Sequence, residues 1–196
     1  MPVKMEKQLE SNWCWAAVSA SLKNFFSPQS GFQQCHLASP VLLSEAQIEA
    51  AVRCCEHPDE CNMQAFLEDA LAFAGNLHQK LHGYLGFPGI MNEIDAGRPV
   101  GVRIEWSDGY GHFLLIDGYR AFGSDAQQVH VSDPFYGASY ILHGDLVDNY
   151  QNDGIWTDTY FVRAEGDVPF DPHAGGGEAD AGADDTLVIG PIVIEE

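Results

Sequence analysis

Near Gly97 the hydrophobic rhythm of this 196-residue chain changes from helical to alternating, which argues against a fold built from repeated βα units. Upstream, Val18, Leu22, Phe25 and Phe26 mark a helix from Cys14 to about Phe26, stopped by Ser27-Pro28 and Gly31. A polar loop with Cys35 and Pro40 follows. Ser44-Glu45-Ala46-Gln47 then has capping-box spacing and opens a helix to about Arg53, with Ile48 and Val52 on one face. Met63, Phe66, Leu67, Ala70, Leu71 and Ala74 predict another over about 62–74, ended by Gly75, and 87–97 reads as a short helix closed by Gly97. Downstream, 99–106, 113–119, 128–132, 139–142 and 159–163 are short β-branched and aromatic runs bounded by Gly, Asp, Asn or Pro. Helices first and strands second predict an α+β protein with an antiparallel sheet.

The first helix opens on Cys14, inside Gln8-Leu9-Glu10-Ser11-Asn12-Trp13-Cys14-Trp15-Ala16-Ala17. Unpaired backbone N–H groups and the positive end of the helix dipole both favour thiolate over thiol there. A lone cysteine between two tryptophans is more often a buried core residue, so partners must decide. Gln8 offers an amide that can reach a developing oxyanion. Of eight histidines, His112 has the setting of a general base: in Gly111-His112-Phe113-Leu114-Leu115-Ile116 it stands at the mouth of an apolar strand. Val129-His130-Val131-Ser132-Asp133-Pro134 ends a neighbouring strand in a carboxylate that a hairpin would bring beside His112, where it would orient the imidazole. His130 alternates away from that face and is expected at the surface. His78 and His82 stand four apart but follow Gly75 and lack a third ligand, which argues against metal. Trp13 and Trp15 fit either cleft or core, and Trp156 and Tyr160 are candidates for a cleft wall.

The order Gln8, Cys14, His112, Asp133 resembles the papain-like cysteine peptidases. Trp13-Cys14-Trp15-Ala16-Ala17 is most similar to a small bacterial branch related to secreted effector proteases. The resemblance covers about residues 5–163. It implies a papain-like fold, with an N-terminal helical half carrying the nucleophile helix packed on an antiparallel β-sheet half carrying the base. It also implies peptide-bond hydrolysis through a Cys14-His112-Asp133 triad and an acyl-enzyme, with Gln8 in the oxyanion hole and no cofactor. Papain has asparagine at the third position, whereas aspartate before proline is usual in the bacterial branch. The same thioester could pass its acyl group to an amine, giving a transferase or ligase of transglutaminase type. A peptide-binding module is the non-enzymatic alternative.

Cys35, Cys54, Cys55 and Cys61 cluster after the first helix. Two disulfides, one from each of Cys54 and Cys55 to the outer pair, are one state; reduced thiols and a metal site are the others, the last opposed by Cys-Cys adjacency and the lack of a Cys-x2-Cys pair. Similar bacterial sequences carry a comparable cluster.

The formal net charge of −20 argues against nucleic acid or an anionic membrane as partner and leaves a protein or peptide substrate. No apolar run is long enough to span a bilayer and the N-terminus lacks a signal-peptide pattern, so a cytoplasmic location or export by a signal-independent route is expected. The chain divides into a peptidase domain (1–164), an acidic Gly/Ala/Asp-rich linker (165–185) and an apolar segment (186–196), Thr186-Leu187-Val188-Ile189-Gly190-Pro191-Ile192-Val193-Ile194 with two glutamates. That segment is expected to dock as a strand or in the cleft, as built-in inhibitor or substrate.

Overall fold

A computed structural model describes residues 2–42, 54–121 and 127–166. Helices α1 (Cys14–Phe26), α2 (Gln34–Leu42) and α3 (Leu67–Phe73) precede every strand of the sheet. Strand β1 (Leu77–His82) and helix α4 (Phe87–Asp95) lead into β2 (Val100–Glu105), β3 (Gly111–Ala121), β4 (Gln127–Asp133) and β5 (Gly137–Leu142). Helix α5 (His143–Asp148), β6 (Ile155–Val162) and, earlier in the chain, a 3-10 turn at Pro58–Cys61 complete the described elements. The strands form one antiparallel sheet in the order β1-β6-β2-β3-β4-β5.

Strand alternation divides the interior in two. Phe113 and Leu115 of β3 join Tyr160 and Val162 of β6 under α1, α2 and α3, whereas Leu114 and Ile116 face α4 and α5 with Val100, Val102, Ile104, Val129 and Val131. The central sheet is thus buried on both faces, which holds the start of β3 rigidly. Lys23, in the last turn of α1, binds the Ala74 carbonyl at 2.9 Å and pairs with Glu165, tying that helix to α3 and to the chain beyond β6.

Three expectations are corrected. The polar loop around Cys35 is helix α2, because burial of Cys35, Leu37 and Ala38 against the first core outweighs the one intrahelical bond, to His36 O, that Pro40 cannot donate. The helix expected over 62–74 begins only at Leu67: the Asn62 side-chain oxygen accepts from Asn12 N–H, its amide donates to Ser11 Oγ, and Phe66 is 68% exposed. Residues 77–82, to which the sequence assigns no element, are a strand, so His78 and His82 lie about 13 Å apart along it; His82 pairs with Asp158 at 2.7 Å. His130 is half-buried, bonded to Asp117 and packed on the Tyr140 ring at 4.7 Å. The helix expected after Ser44 and the apolar segment fall outside the described residues.

Two disulfides join Cys35 to Cys55 and Cys54 to Cys61. Cys35, His36 and Cys55 are near enough to hold an ion, but both sulfurs are consumed by the first disulfide and offer no thiolate, which removes the metal alternative there. Among the described residues no helix is long and apolar enough to cross a membrane. A free-thiol titration of unfolded, unreduced protein is expected to find one thiol per chain, Cys14. Closing the 20-residue Cys35–Cys55 separation contributes about 3 kcal/mol in the chain-entropy account, so the Cys35→Ser/Cys55→Ser pair should lose about that much in denaturant unfolding.

Candidate active site

The turn before α1 is fastened from three sides. Trp13 N–H donates to Glu10 O at 3.1 Å. The Trp13 and Trp15 indoles donate to Cys61 O and Met63 O at 2.7 and 3.1 Å. Both indoles are buried, so the tryptophans serve the core, and Trp15 borders the cleft as well. No side chain caps the helix, and Cys14 occupies its first position, 7% exposed. The disulfide Cys54–Cys61 stiffens the segment that the Trp13 indole holds.

His112 stands one residue into β3, with Ile104 opposite. On the other side Leu115 pairs with Ser132, so Asp133, one residue on, lies diagonally from His112 on the same face. His112 Nε2 and Asp133 Oδ2 are 2.8 Å apart. That leaves Nδ1 to face the cleft that Cys14 also lines, where the thiol acts on the ring electrostatically. Burial opposes charging the imidazole. The hydrogen bond to Asp133, the interaction with Cys14 and the charges of both outweigh it, raising the His112 pKa to about 9. Burial likewise works to raise Asp133, yet the bond and charge of His112 with two backbone N–H groups hold its carboxyl below the usual range. The imidazole is therefore charged at neutral pH beside an ionised carboxylate.

Gln8 lines the same cleft, and its backbone N–H donates to Pro134 O at 3.1 Å, next to Asp133. Its side-chain Nε2 lies 3.0 Å from Glu10 O and 2.8 Å from Ser11 O, while Oε1 is buried without a partner. Turning the amide over would set Oε1 against two carbonyl oxygens, so this orientation is electrostatically fixed. Gln8 thus braces the turn that delivers Cys14.

The cleft has a volume of about 560 Å³. Gly109, at φ +84°, turns the β2–β3 loop and carries Trp106 over the site. Trp106 stacks on His112 with centroids 6.1 Å apart, and Tyr136 meets the same ring edge-on at 6.1 Å. At Gly111 a Cβ would sit 3.1 Å from Arg103 Nε, so the glycine lets that guanidinium lie against the cleft floor, bonded to Glu105 and Thr157 at 2.7 Å. Phe66, Tyr110, Phe135 and Tyr136 leave a mainly aromatic rim open to solvent. Trp156 and Tyr160 belong instead to the two cores. Sequence reasoning missed Trp106, Tyr136 and Tyr150; Gly109 beside Asp108 marked a turn near Trp106, and no local pattern marks Tyr150.

The model of the Peptidase_C39 like family matches residues 1–162. Among solved structures, the chain is similar to the crystal structure of the Pseudomonas avirulence protein AvrPphB, at 16% identity over 78% of this chain and 93% of that one, with a TM-score of 0.33. A search of curated proteins gives no match.

Proposed function

The chain belongs to the Peptidase_C39 like family, and from that premise we propose that this cysteine peptidase cleaves peptides with Cys14 as nucleophile, His112 as proton carrier and Asp133 as its orienting partner. The observation that carries the reading is that Cys14 and His112 line one cleft, where the thiol acts on an imidazole bonded to the buried Asp133 Oδ2 at 2.8 Å. The thiolate attacks the scissile carbonyl, and the C–S bond forms as the carbonyl π pair moves to oxygen. When the tetrahedral adduct collapses, the C–N bond breaks and the amine leaves with the proton from His112. Water, deprotonated by the now neutral imidazole, then releases the acyl group.

The Cys14 backbone N–H, at the first position of α1, is the fixed oxyanion donor in this reading. Gln8 Nε2 is the second once substrate draws one of its two hydrogens away from the Glu10 and Ser11 carbonyls. Gln8→Ala is expected to lower kcat by about 10²- to 10³-fold with little change in KM. The two disulfides favour an oxidising compartment as the place of action. Digesting a proteome-derived peptide library with wild type and Cys14→Ala tests the reading. Identical peptide ends in both digests would refute it; ends unique to wild type would define the residues the aromatic rim accepts.

A further inference from the structure

Asp133 receives four hydrogen bonds, one from a residue outside every motif. Oδ1 accepts from the backbone N–H groups of Phe135 and Tyr136 at 2.6 and 2.8 Å. Oδ2 accepts from His112 at 2.8 Å and from the Tyr150 hydroxyl, also at 2.8 Å. Tyr150 is 1% exposed, and its ring lies under Trp106, centroids 6.2 Å apart, so a single indole covers both donors to Oδ2.

The loop carrying Tyr150 is built tightly. Tyr150 and Gly154 exchange backbone hydrogen bonds of 2.9 and 2.8 Å. Between them Gln151 and Asn152 take φ values of 53° and 68°, the only non-glycine residues in the left-handed region among those described. At Gly154 a Cβ would stand 2.4 Å from Ile104 and 2.7 Å from Trp106, so only glycine lets the loop press against the end of β2. Backbone strain and a forced close approach converge on placing one hydroxyl at one carboxylate oxygen.

We propose that Tyr150 is a positioning residue for the Cys14–His112 pair: by sharing Asp133 Oδ2 with the imidazole it fixes the carboxylate plane and limits how strongly that oxygen holds the His112 proton. The inference rests on the reading of Cys14, His112 and Asp133 given above. A carboxylate bonded to His112 alone would hold the imidazolium too firmly for easy proton delivery to the leaving amine. A hydroxyl donor draws off part of the Oδ2 charge while adding none of its own. Burial, with the Asp133 charge, pushes the Tyr150 hydroxyl far above its usual range, so it remains a donor wherever the enzyme is folded. The groups facing this cluster are Cys14 from α1, His112 from β3, Tyr136 from the β4–β5 turn, Gln151 beside Tyr150, and Asp145 of α5 on the outer side of the loop.

Cys14 is the one cysteine outside the disulfides, so its alkylation by iodoacetamide reads the pair without any peptide substrate. The pH profile of that rate is to be measured for wild type, Tyr150→Phe and protein carrying 3-fluorotyrosine at position 150. The wild-type profile should change where His112 loses its proton, near pH 9. Tyr150→Phe should move that limb up by about half a pH unit, because Oδ2 then serves His112 alone. Fluorotyrosine, a more acidic donor of nearly the same shape, should move it down. Limbs that stay in place, or that shift the same way in both, overturn the proposal and leave Tyr150 a packing residue. If Tyr150→Phe fails to fold by thermal melting, the fluorotyrosine arm decides alone. A wild type that shows the limb but cleaves no peptide retracts the peptidase reading and leaves the positioning role standing.

Discussion

Replacing Cys14 with alanine is expected to lower kcat for peptide cleavage on the order of 10⁵-fold or more while the protein still folds. The size follows from the nature of the step: water alone must then attack the carbonyl, and the remaining donors can do no more than polarise it. Retention of the fold follows from the position. Alanine suits the first turn of α1, the Ala17 N–H to Trp13 O bond is untouched, and the two indoles still hold the turn through Cys61 and Met63. Loss of one sulfur from a site 7% exposed costs roughly 1 kcal/mol, visible as a melting-temperature drop of a few degrees. Near-wild-type turnover in Cys14→Ala would assign the chemistry elsewhere. Unfolding of the variant would mean that the thiol is a core group, the bland alternative for a cysteine between two tryptophans.

The sheet was legible in the sequence because its central strands are buried on both faces, which leaves continuous apolar runs such as 113–116 bounded by turn residues. His112 was legible because it opens such a run, and Asp133 because it closes the alternating strand Val129-His130-Val131-Ser132 before a proline. Strand β1 was hidden by its half-polar edge, Leu77-His78-Gln79-Lys80-Leu81-His82, where only one neighbour, β6, supplies the ladder. Helix α2 was hidden because its stability comes from Leu37, Ala38 and a disulfide to Cys55, contacts remote from its own pattern, and its proline reads locally as a break. The helix begun too early at Asn62 shows the reverse case. Met63 and Phe66 fit helical periodicity, yet the carbonyls of Cys61 and Met63 are taken by the α1 indoles, so the segment stays extended as a cleft wall. What escapes sequence reading at the site is what arrives from far away: Tyr150 reaches Asp133 through a loop whose geometry is set by Ile104 and Trp106.

The environment of Asp133 bears on the choice between carboxylate and amide at this position. All four of its hydrogen bonds are donated to it, by two backbone N–H groups, an imidazole and a phenol. An asparagine here must turn its NH₂ toward one pair of those donors, leaving buried donors unpaired at about 1–3 kcal/mol. It also removes the charge that sustains the imidazolium. Asp133→Asn is therefore expected to lower kcat/KM by about 10²- to 10⁴-fold at neutral pH and to destabilise the fold, even though papain itself has asparagine at the third position. The pH dependence follows in sign. In the wild type the raised His112 pKa contributes stability that is fully present below its unfolded value of 6.5 and is lost as pH rises through about 9. The depressed Asp133 pKa contributes stability present above its unfolded value of 3.8 and lost as pH falls through the folded one. Without the carboxylate, burial is no longer outweighed and the alkaline limb of kcat/KM should fall from near 9 toward or below 6.5, so that little charged imidazole remains at pH 8. A pH–rate profile of Asp133→Asn whose alkaline limb stays near 9 would show that Cys14, not Asp133, holds the His112 proton.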